Sequence, residues 1–385
     1  MDNDLKYRRL RVQKLLSEAG ADACIITTNV NIYYLTGKVF TGFIFLPAEG
    51  EMLCFVQRPV VIEDEFTIQI RKPEEIPAIL ENREIALPKT LYLESGQITH
   101  LEFLRLEAAF HPQKTGDATS VLRTARMIKS PWEIEQFRIS AVCHSKAYSE
   151  IAPLFREGMT DIEFQIEIER VMRRNGSIGI FRAFGGNMDI FMGSVLTGKN
   201  AETPSPFDFA LGGAGLNPTV PIGACGEKIE IGNSVMVDMA GNFTAYMTDM
   251  TRVFARGKLP EIAYKAHNLS IAMHNRLMSE AKVGTSCADI YKFSLEMAEN
   301  EGLVEYFMGT RQQAKFVGHG VGLEINEPPV LTPRSKEILE PNMVFAFEPK
   351  FVIPGVGAVG NENTYLVSNN GLEKITKFDE EIISI

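Results

Sequence analysis

The pattern of apolar and polar residues predicts a β-hairpin over Val235–Phe254. Two short, apolar, β-prone runs flank Gly241 and Asn242, which together favour a turn. Asp238 lies on the first run and Asp249 on the second. If the two aspartates pair directly, their Cβ atoms lie about 5 Å apart on one face of the sheet. Carboxylates that close repel each other, so we expect them to share a proton or to bind a cation.

The chain before residue 124 alternates between helical and strand-like patterns. Helical spacing covers Tyr7–Ala19, and apolar, β-prone runs follow at Cys24–Thr28 and Ala86–Glu94. Two more apolar runs, FIFLP and MLCFV, are separated by the turn-prone Ala48–Gly50. Alternating helices and strands predict an α/β domain over residues 1–123.

The rest of the chain, residues 124–385, begins with clear helix starts. Ser130 with Glu133, and Thr160 with Glu163, form the S/T-x-x-E pattern that caps a helix. Further helices are predicted from Pro260 and from Ser286, and strand-like runs follow this second pair, so the order is helices then strands, twice over. The segment between residues 181 and 232 is rich in Gly and Pro but carries several phenylalanines, so we expect an ordered loop that walls a pocket.

Composition limits the class of protein. A chain of 385 residues suggests two domains, and 39 basic against 49 acidic residues give no electrostatic reason to expect nucleic acid or an anionic membrane as a partner. No apolar run approaches the roughly 18 residues of a membrane-spanning helix. The charged N-terminus lacks the features of a signal peptide, so we expect a cytoplasmic protein. The five scattered cysteines form no C-x-x-C pair and are expected to be buried apolar residues.

Three further strand-like segments carry an acidic residue or a histidine in an apolar setting. These are His319 in GHGVG, Glu348 in FAFEPK and Glu362 in GNENTYLV. A carboxylate in an apolar run must be paired, protonated or bound to a metal. Taken alone, each residue also fits an ordinary surface or core position. A set of four carboxylates and one imidazole is rich in hard oxygen ligands, which favours manganese or iron(II) and still admits zinc.

Together, the motifs VDMAGNFTAYMTDMTR, GHGVGLEINEPP, FEPK and NENTYLV closely resemble the five-ligand signature of the creatinase and Xaa-Pro aminopeptidase family. The resemblance extends to RLRVQKLLSEAGADACIIT and RMIKSPWEIEQFR and so covers most of the chain. It implies the pita-bread fold, which combines an α/β N-terminal domain with an α+β catalytic domain built on a curved antiparallel sheet.

The resemblance also implies a set of ligands and a partner. Asp238, Asp249, His319, Glu348 and Glu362 would hold two divalent metal ions per subunit, with Asp249 and Glu362 bridging them. Manganese is the expected metal, and cobalt, zinc or iron also fit the family. The family pattern further implies a homodimer.

The sequence departs from the family at three positions. The family's peptidases usually carry two more histidines, and here Ser205 and Asn326 stand in their places. The arginine that usually precedes the last glutamate by two positions is replaced by Gly360. Loss of groups that stabilise an oxyanion typically costs about 100- to 1,000-fold in rate. Ser205, Asn326 and Tyr246 are our candidates for binding the substrate.

Three functional hypotheses follow. The first is a dimetal hydrolase that uses a hydroxide shared by the two metals to cleave an Xaa-Pro-type peptide bond, with Glu348 also taking the proton of the attacking water. The second is a metal-dependent C–N hydrolase or lyase acting on a small non-peptide substrate, which the three departures favour. The third is a catalytically silent binding protein, against which the complete ligand set argues.

Overall fold

The computed structural model describes residues 2–60, 66–185, 190–207 and 209–385. The chain divides into two compact units, Met1–Arg126 and Met127–Ile385. The boundary that we predicted after residue 123 falls inside the helix Ala118–Met127. Within the described ranges, no helix is both long enough and apolar enough to cross a membrane.

The first unit is an α/β domain built on a six-stranded mixed sheet. Its strands lie in the order β4-β3-β2-β1-β5-β6, and β2 runs antiparallel to both of its neighbours. Apolar side chains from the sheet and from two helices form one core, which includes Ile25, Phe55 and Leu106. The helices and strands are Asp2–Glu18 (α1), Ala23–Ile26 (β1), Asn29–Thr36 (α2), Thr41–Pro47 (β2), Leu53–Arg58 (β3), Thr67–Gln69 (β4), Ile76–Asn82 (α3), Thr90–Leu93 (β5), His100–Phe110 (α4), Lys114–Asp117 (β6) and Ala118–Met127 (α5).

The second unit combines helices with short, buried strands. Its elements are Pro131–Ser149 (α6), Asp161–Arg174 (α7), Gly193–Thr197 (β7), Ser234–Gly241 (β8), Thr248–Ala255 (β9), Glu261–Glu280 (α8), Cys287–Asn300 (α9), Gly318–Gly320 (β10), Glu327–Val330 (β11), Val344–Phe347 (β12), Phe351–Ile353 (β13), Gly357–Val359 (β14), Asn363–Ser368 (β15), Gly371–Lys374 (β16) and Ile383–Ser384 (β17).

Both predicted capping boxes are confirmed. The Ser130 hydroxyl accepts a hydrogen bond from the Glu133 N–H at 3.2 Å, and the Glu133 carboxylate accepts one from the Ser130 N–H at 2.8 Å. Thr160 and Glu163 make the same reciprocal pair at the start of α7. These contacts satisfy amide groups that the first turn of a helix leaves without partners, and so they fix where α6 and α7 begin.

The strands of the second unit form two main sheets and a small hairpin. One sheet has the order β11-β10-β12-β15-β16 and the other β17-β9-β8-β7, while β13 pairs with β14. The pairs are antiparallel except for β17 with β9. The two sheets meet where the Thr364 hydroxyl donates to the Asp249 carbonyl at 2.9 Å and the Glu362 N–H donates to the Thr251 carbonyl at 3.2 Å.

The predicted hairpin is confirmed, but the predicted register is wrong. Asp238 lies opposite Thr251, and Asp249 lies opposite Ala240. Asp238 and Asp249 are therefore diagonal neighbours on one face of the sheet instead of a direct pair. The register shifts because the connection between β8 and β9 spans six residues, 242–247, which is longer than the tight turn that Gly241 and Asn242 suggest.

The segment between residues 181 and 232 is more regular than we predicted. It contains β7, whose five residues are all buried and pair with β8 on the side away from β9. The run GSVLT is short and mixes polar with apolar residues, so it is not recognisable as a strand without its partner. Residues 186–189 and Asp208, which belong to the same predicted loop, lie outside the described residues.

Candidate metal centre

The structure brings all five predicted ligands together at the junction of the two sheets. Asp238 and Asp249 come from β8 and β9, and His319 is the middle residue of β10. Glu348 directly follows β12, and Glu362 directly precedes β15. The four carboxylates are buried, while His319 is partly exposed.

The strand register explains why these residues meet. Phe347 pairs with Asn363 across β12 and β15, so one further step along the two strands places Glu348 opposite Glu362. His319 lies opposite Ala346 on the other side of β12. Its Nε2 atom is 3.4 Å from Glu348 Oε1 and 3.8 Å from Asp249 Oδ2. Residues far apart in sequence thus converge because antiparallel pairing brings strand ends together.

The potential ligand atoms fall into two groups that share Glu362. One group consists of Asp249, His319 and Glu362, and the other of Asp238, Glu348 and Glu362. Within each group, one ligand atom per residue lies within 4.8 Å of the others. The positions of these carboxylates and of the histidine would therefore allow two cations to bind side by side.

A lysine that the sequence analysis did not single out lies inside the second group. The Nζ atom of Lys350 is 2.9 Å from Asp238 Oδ2, 2.7 Å from Glu348 Oε2 and 3.0 Å from Glu362 Oε2. The Lys350 side chain is completely buried. Burial lowers the pKa of this amine, but the three carboxylates raise it well above its ordinary value. Lys350 is thus a buried ammonium ion in a carboxylate cage.

The first group fits a divalent cation. Glu362 Oε1 is buried and, among the described residues, has no hydrogen-bond partner. Burial and the neighbouring charges of Asp249 and Glu348 raise the pKa of Glu362 well above its usual range, and burial and Asp238 raise the pKa of Asp249 to about 8. The Lys350 ammonium lowers the pKa of both carboxylates but does not outweigh these effects. A cation beside them would favour their ionised forms.

The pKa of Glu348 is lowered, whereas the pKa values of Asp249 and Glu362 are raised. Burial raises its pKa, but the Lys350 charge and the hydrogen bond with His319 outweigh that effect and lower it to about 2. A carboxylate with so low a pKa is a weak proton acceptor. Lys350 and His319 thus favour the ionised form of Glu348, and its role as the base that activates water stays a prediction.

The pKa of His319, the partner of Glu348, is raised. Burial lowers the pKa of its imidazole, but the hydrogen bond to Glu348 and the charges of Glu348 and Asp249 raise it to about 9. A metal ligand must be the neutral imidazole. A cation bound in the first group would therefore displace the proton that these two carboxylates otherwise stabilise.

Two neighbouring residues hold Glu362 in place. The Thr251 hydroxyl donates to Glu362 Oε2 at 2.7 Å. The guanidinium group of Arg252, which is fully buried, donates to the Glu362 carbonyl at 2.9 Å and to Asn363 Oδ1 at the same distance. Such second partners fix the orientation of a ligand before the cation arrives.

A cavity of about 340 Å³ lies one side chain away from the cluster: Phe316 lines it, whereas none of the five predicted ligands does. Its walls include Ser205, Phe207, Phe209 and Phe316, which places part of the predicted pocket loop on the cavity wall. The Phe316 ring also packs against His319, with ring centroids 6.4 Å apart. Ser205 Oγ accepts a hydrogen bond from the Phe207 N–H at 3.2 Å, and its own hydrogen can still be donated.

The other two predicted substrate contacts, Tyr246 and Asn326, make contacts within the protein. Tyr246 is buried, its hydroxyl donates to Glu133 Oε1 at 2.8 Å, and its ring packs edge-on against Trp132. The side-chain oxygen of Asn326 accepts a hydrogen bond from the Phe184 N–H at 2.6 Å, which ties the segment before residue 186 to β11. Both side chains therefore have partners within the protein, and their binding of substrate stays a prediction.

Lys350 could have been found by the argument that we applied to Glu348. It lies between Glu348 and the apolar residues Phe351–Ile353, so its charge also needs a buried partner. What the sequence cannot show is which carboxylates it contacts. One of those contacts, with Asp238, joins residues that are 112 positions apart in the sequence.

Comparison with known proteins identifies the group to which this fold and site belong. Residues 135–369 match the family described as Metallopeptidase family M24, and residues 8–128 match the Creatinase/Prolidase N-terminal domain. The chain is 25% identical to the Xaa-Pro dipeptidase of Pyrococcus furiosus over 98% of its own length and 100% of that protein. It is also 25% identical to the uncharacterized peptidase YqhT of Bacillus subtilis, covering 98% and 99% of the two chains.

Solved structures show the same fold. The Xaa-Pro dipeptidase from Bacillus anthracis superposes with a TM-score of 0.80 at 22% identity, covering 99% of this chain and 100% of that one. The X-Pro aminopeptidase from Thermotoga maritima superposes with a TM-score of 0.79 at 21% identity, covering 97% and 100%. The protein therefore has the pita-bread fold of metal-dependent hydrolases. It belongs to metallopeptidase family M24.

Proposed function

We propose that this protein is a metal-dependent peptidase of the prolidase type, which hydrolyses an Xaa-Pro peptide bond in a dipeptide or at the N-terminus of a short peptide. The observation that carries the proposal is the convergence of Asp249, His319 and Glu362 in a chain that belongs to a metallopeptidase family. The Xaa-Pro dipeptidases among its full-length relatives support this substrate class.

The cluster supplies the electrostatics that such a reaction needs. Asp249, His319 and Glu362 would hold a divalent ion, which polarises the scissile carbonyl when bound. Lys350 offsets the negative charge of the remaining carboxylates, while Thr251 and Arg252 keep Glu362 in position.

The cavity suits a short, partly apolar substrate. Its volume of about 340 Å³ lies at the small end of the range for ligand pockets. Phe207, Phe209 and Phe316 provide an apolar wall for a proline ring or an aliphatic side chain, and the Ser205 hydroxyl provides a hydrogen-bond donor.

We further propose that the enzyme is a cytoplasmic homodimer and that manganese is its metal.

A small non-peptide substrate is the second candidate, and specific contacts favour it. Asn326 stands where the family's peptidases usually have a histidine, and its amide is engaged by the Phe184 backbone at 2.6 Å. The position of the other histidine is taken by Ser205. A site that has lost both imidazoles stabilises a peptide oxyanion less well, which leaves room for a different C–N bond or a lyase reaction.

The test is turnover of manganese-loaded protein on a panel of Xaa-Pro dipeptides and Xaa-Pro-Yaa tripeptides. We expect cleavage by the wild type and a loss of at least about 100-fold in Asp249→Asn, because the substitution removes a ligand. Asp161→Asn is the matched control, since Asp161 is a buried aspartate that binds the Cys225 and Gly226 amides outside the cluster. It should retain cleavage. A wild type that holds metal but cleaves no member of the panel would favour the non-peptide substrate.

A further inference from the structure

The position of Lys350 Nζ bears directly on how many metal ions the site holds. An ammonium group has three N–H donors, and Lys350 directs them at three carboxylates that come from different segments of the chain. All three nitrogen-to-oxygen distances lie between 2.7 and 3.0 Å. The side chain is therefore fully paired and anchored inside the protein.

A divalent ion in the same group would compete with Lys350 for the same atoms. Asp238 Oδ2, Glu348 Oε2 and Glu362 Oε2 all point to the ammonium. An ion at this position would have to displace a buried lysine or lie in contact with its like charge. Either event leaves a charge without its partners, which is costly in a buried site.

The other group of ligand atoms is independent of Lys350. Glu362 uses Oε2 for the lysine, whereas its Oε1 is buried and has no hydrogen-bond partner among the described residues. Glu348 likewise uses Oε2 for the lysine and presents Oε1 to His319 at 3.4 Å. Glu362 thus has one oxygen for each of two cations, of which one is already the ammonium.

We propose that the Lys350 ammonium permanently replaces one of the two divalent ions that the sequence predicts, so that each subunit binds a single divalent ion through Asp249, His319 and Glu362. Asp238 then serves as a partner of Lys350 instead of a metal ligand. This inference rests on the proposed function only in its metal requirement. One ammonium and one divalent ion supply three positive charges to the four carboxylates, which keeps the centre near neutrality.

The experiment is a metal count by elemental analysis of dialysed protein, together with calorimetric titration with manganese. We expect about one manganese per subunit in the wild type and about two in Lys350→Ala, which frees three carboxylate oxygens and the space of the ammonium. Lys129→Ala is the matched control, because Lys129 is a buried lysine whose ion pair with Glu327, at 3.2 Å, lies outside the cluster. It should remain at one manganese per subunit.

Asp238→Asn provides a second measurement that does not depend on whether Lys350→Ala folds. If Asp238 serves the lysine, Asp238→Asn still binds one manganese, whereas Asp249→Asn loses it. Two manganese ions in the wild type would overturn the inference, as would a wild type that binds none at saturating manganese or an Asp238→Asn variant that loses its only ion. A folded Lys350→Ala variant that still binds only one ion would also contradict it.

The metal count and the peptide assay can fail separately. A wild type with one ion that cleaves no Xaa-Pro peptide defeats the proposed substrate and leaves the role of Lys350 intact. A wild type with two ions that cleaves these peptides defeats the role of Lys350 and leaves the peptidase intact.

Discussion

The backbone conformation at position 360 and the atoms around it both require a glycine. Its φ angle is +114°, which side chains other than hydrogen rarely tolerate. A Cβ atom at this position would lie 2.6 Å from the Pro349 carbonyl oxygen and 3.0 Å from the Lys350 Cα. The Gly360 N–H also donates to His267 Nδ1 at 3.2 Å. An arginine, which the family usually has here, would therefore force the Glu348–Lys350 segment to move.

We predict that Gly360→Ala lowers the free energy of unfolding by about 3 kcal/mol, because it combines an unfavourable φ angle with a backbone clash. Gly355→Ala is the control, since Gly355 has a φ angle of +73° and no atom within 4 Å of its added Cβ. Its cost should be about 1 kcal/mol. Urea unfolding of the two variants measures the difference. Equal losses would show that the contacts around Gly360 do not matter.

At the scale of elements, Tyr246 connects the hairpin to the start of α6. It lies in the connection between β8 and β9, and its hydroxyl donates to Glu133 Oε1 while Glu133 Oε2 caps the helix through the Ser130 N–H. The Tyr246 ring also packs against Phe137, with ring centroids 5.4 Å apart. These contacts hold the long connection against α6 and thereby set the position of Asp249 at the start of β9.

We predict that Tyr246→Phe destabilises the protein by about 1–2 kcal/mol through the lost hydrogen bond, while the KM for any substrate changes by less than about twofold. Tyr264→Phe is the control, because its hydroxyl makes one long contact of 3.3 Å with the Leu259 N–H. Urea unfolding and steady-state kinetics on the same preparations measure both effects. A large rise in KM with unchanged stability would instead support the predicted substrate-binding role of Tyr246.

Local sequence signals predict the helices and strands of this fold better than they predict how the strands pair. The capping residues Ser130 and Thr160 mark the helix starts because a cap depends on residues three positions apart. The register of Asp238 depends on a six-residue connection and on β7, which the sequence reveals only weakly. The five-residue cluster could be predicted because its motifs are specific. Lys350 was missed because its partners come together only in the folded chain.

At the scale of the whole molecule, three buried histidines of the second unit have a lowered pKa. His144 lies on α6, and His267 and His274 lie on α8. His267 Nε2 contacts the Glu380 carbonyl at 2.7 Å while its Nδ1 accepts from Gly360, which fits a neutral ring with its hydrogen on Nε2. Burial is the main cause that lowers the pKa of His144 and His274 to about 3 and that of His267 to about 4.

These histidines make the stability of the protein depend on pH in a defined direction. In the unfolded chain a histidine takes up its proton near pH 6.5, whereas these three stay neutral in the fold until about pH 3 or 4. Between those values the unfolded chain binds more protons, so the free energy of unfolding decreases as the pH falls. The stabilising contribution is complete above pH 6.5 and is lost progressively below it. Each histidine accounts for a loss of about 2 kcal/mol between pH 7 and pH 5.

We predict that His267→Gln reduces this pH dependence. The variant should be less stable than the wild type at pH 7, because glutamine loses the contact with the Gly360 N–H, yet its further loss on going to pH 5 should be smaller by about 2 kcal/mol. Urea unfolding at the two pH values measures both quantities. His100→Gln, at an exposed position at the start of α4, controls for removing a histidine as such. An equal loss between pH 7 and pH 5 in the wild type and His267→Gln would mean that His267 takes up its proton in the fold as readily as in the unfolded chain.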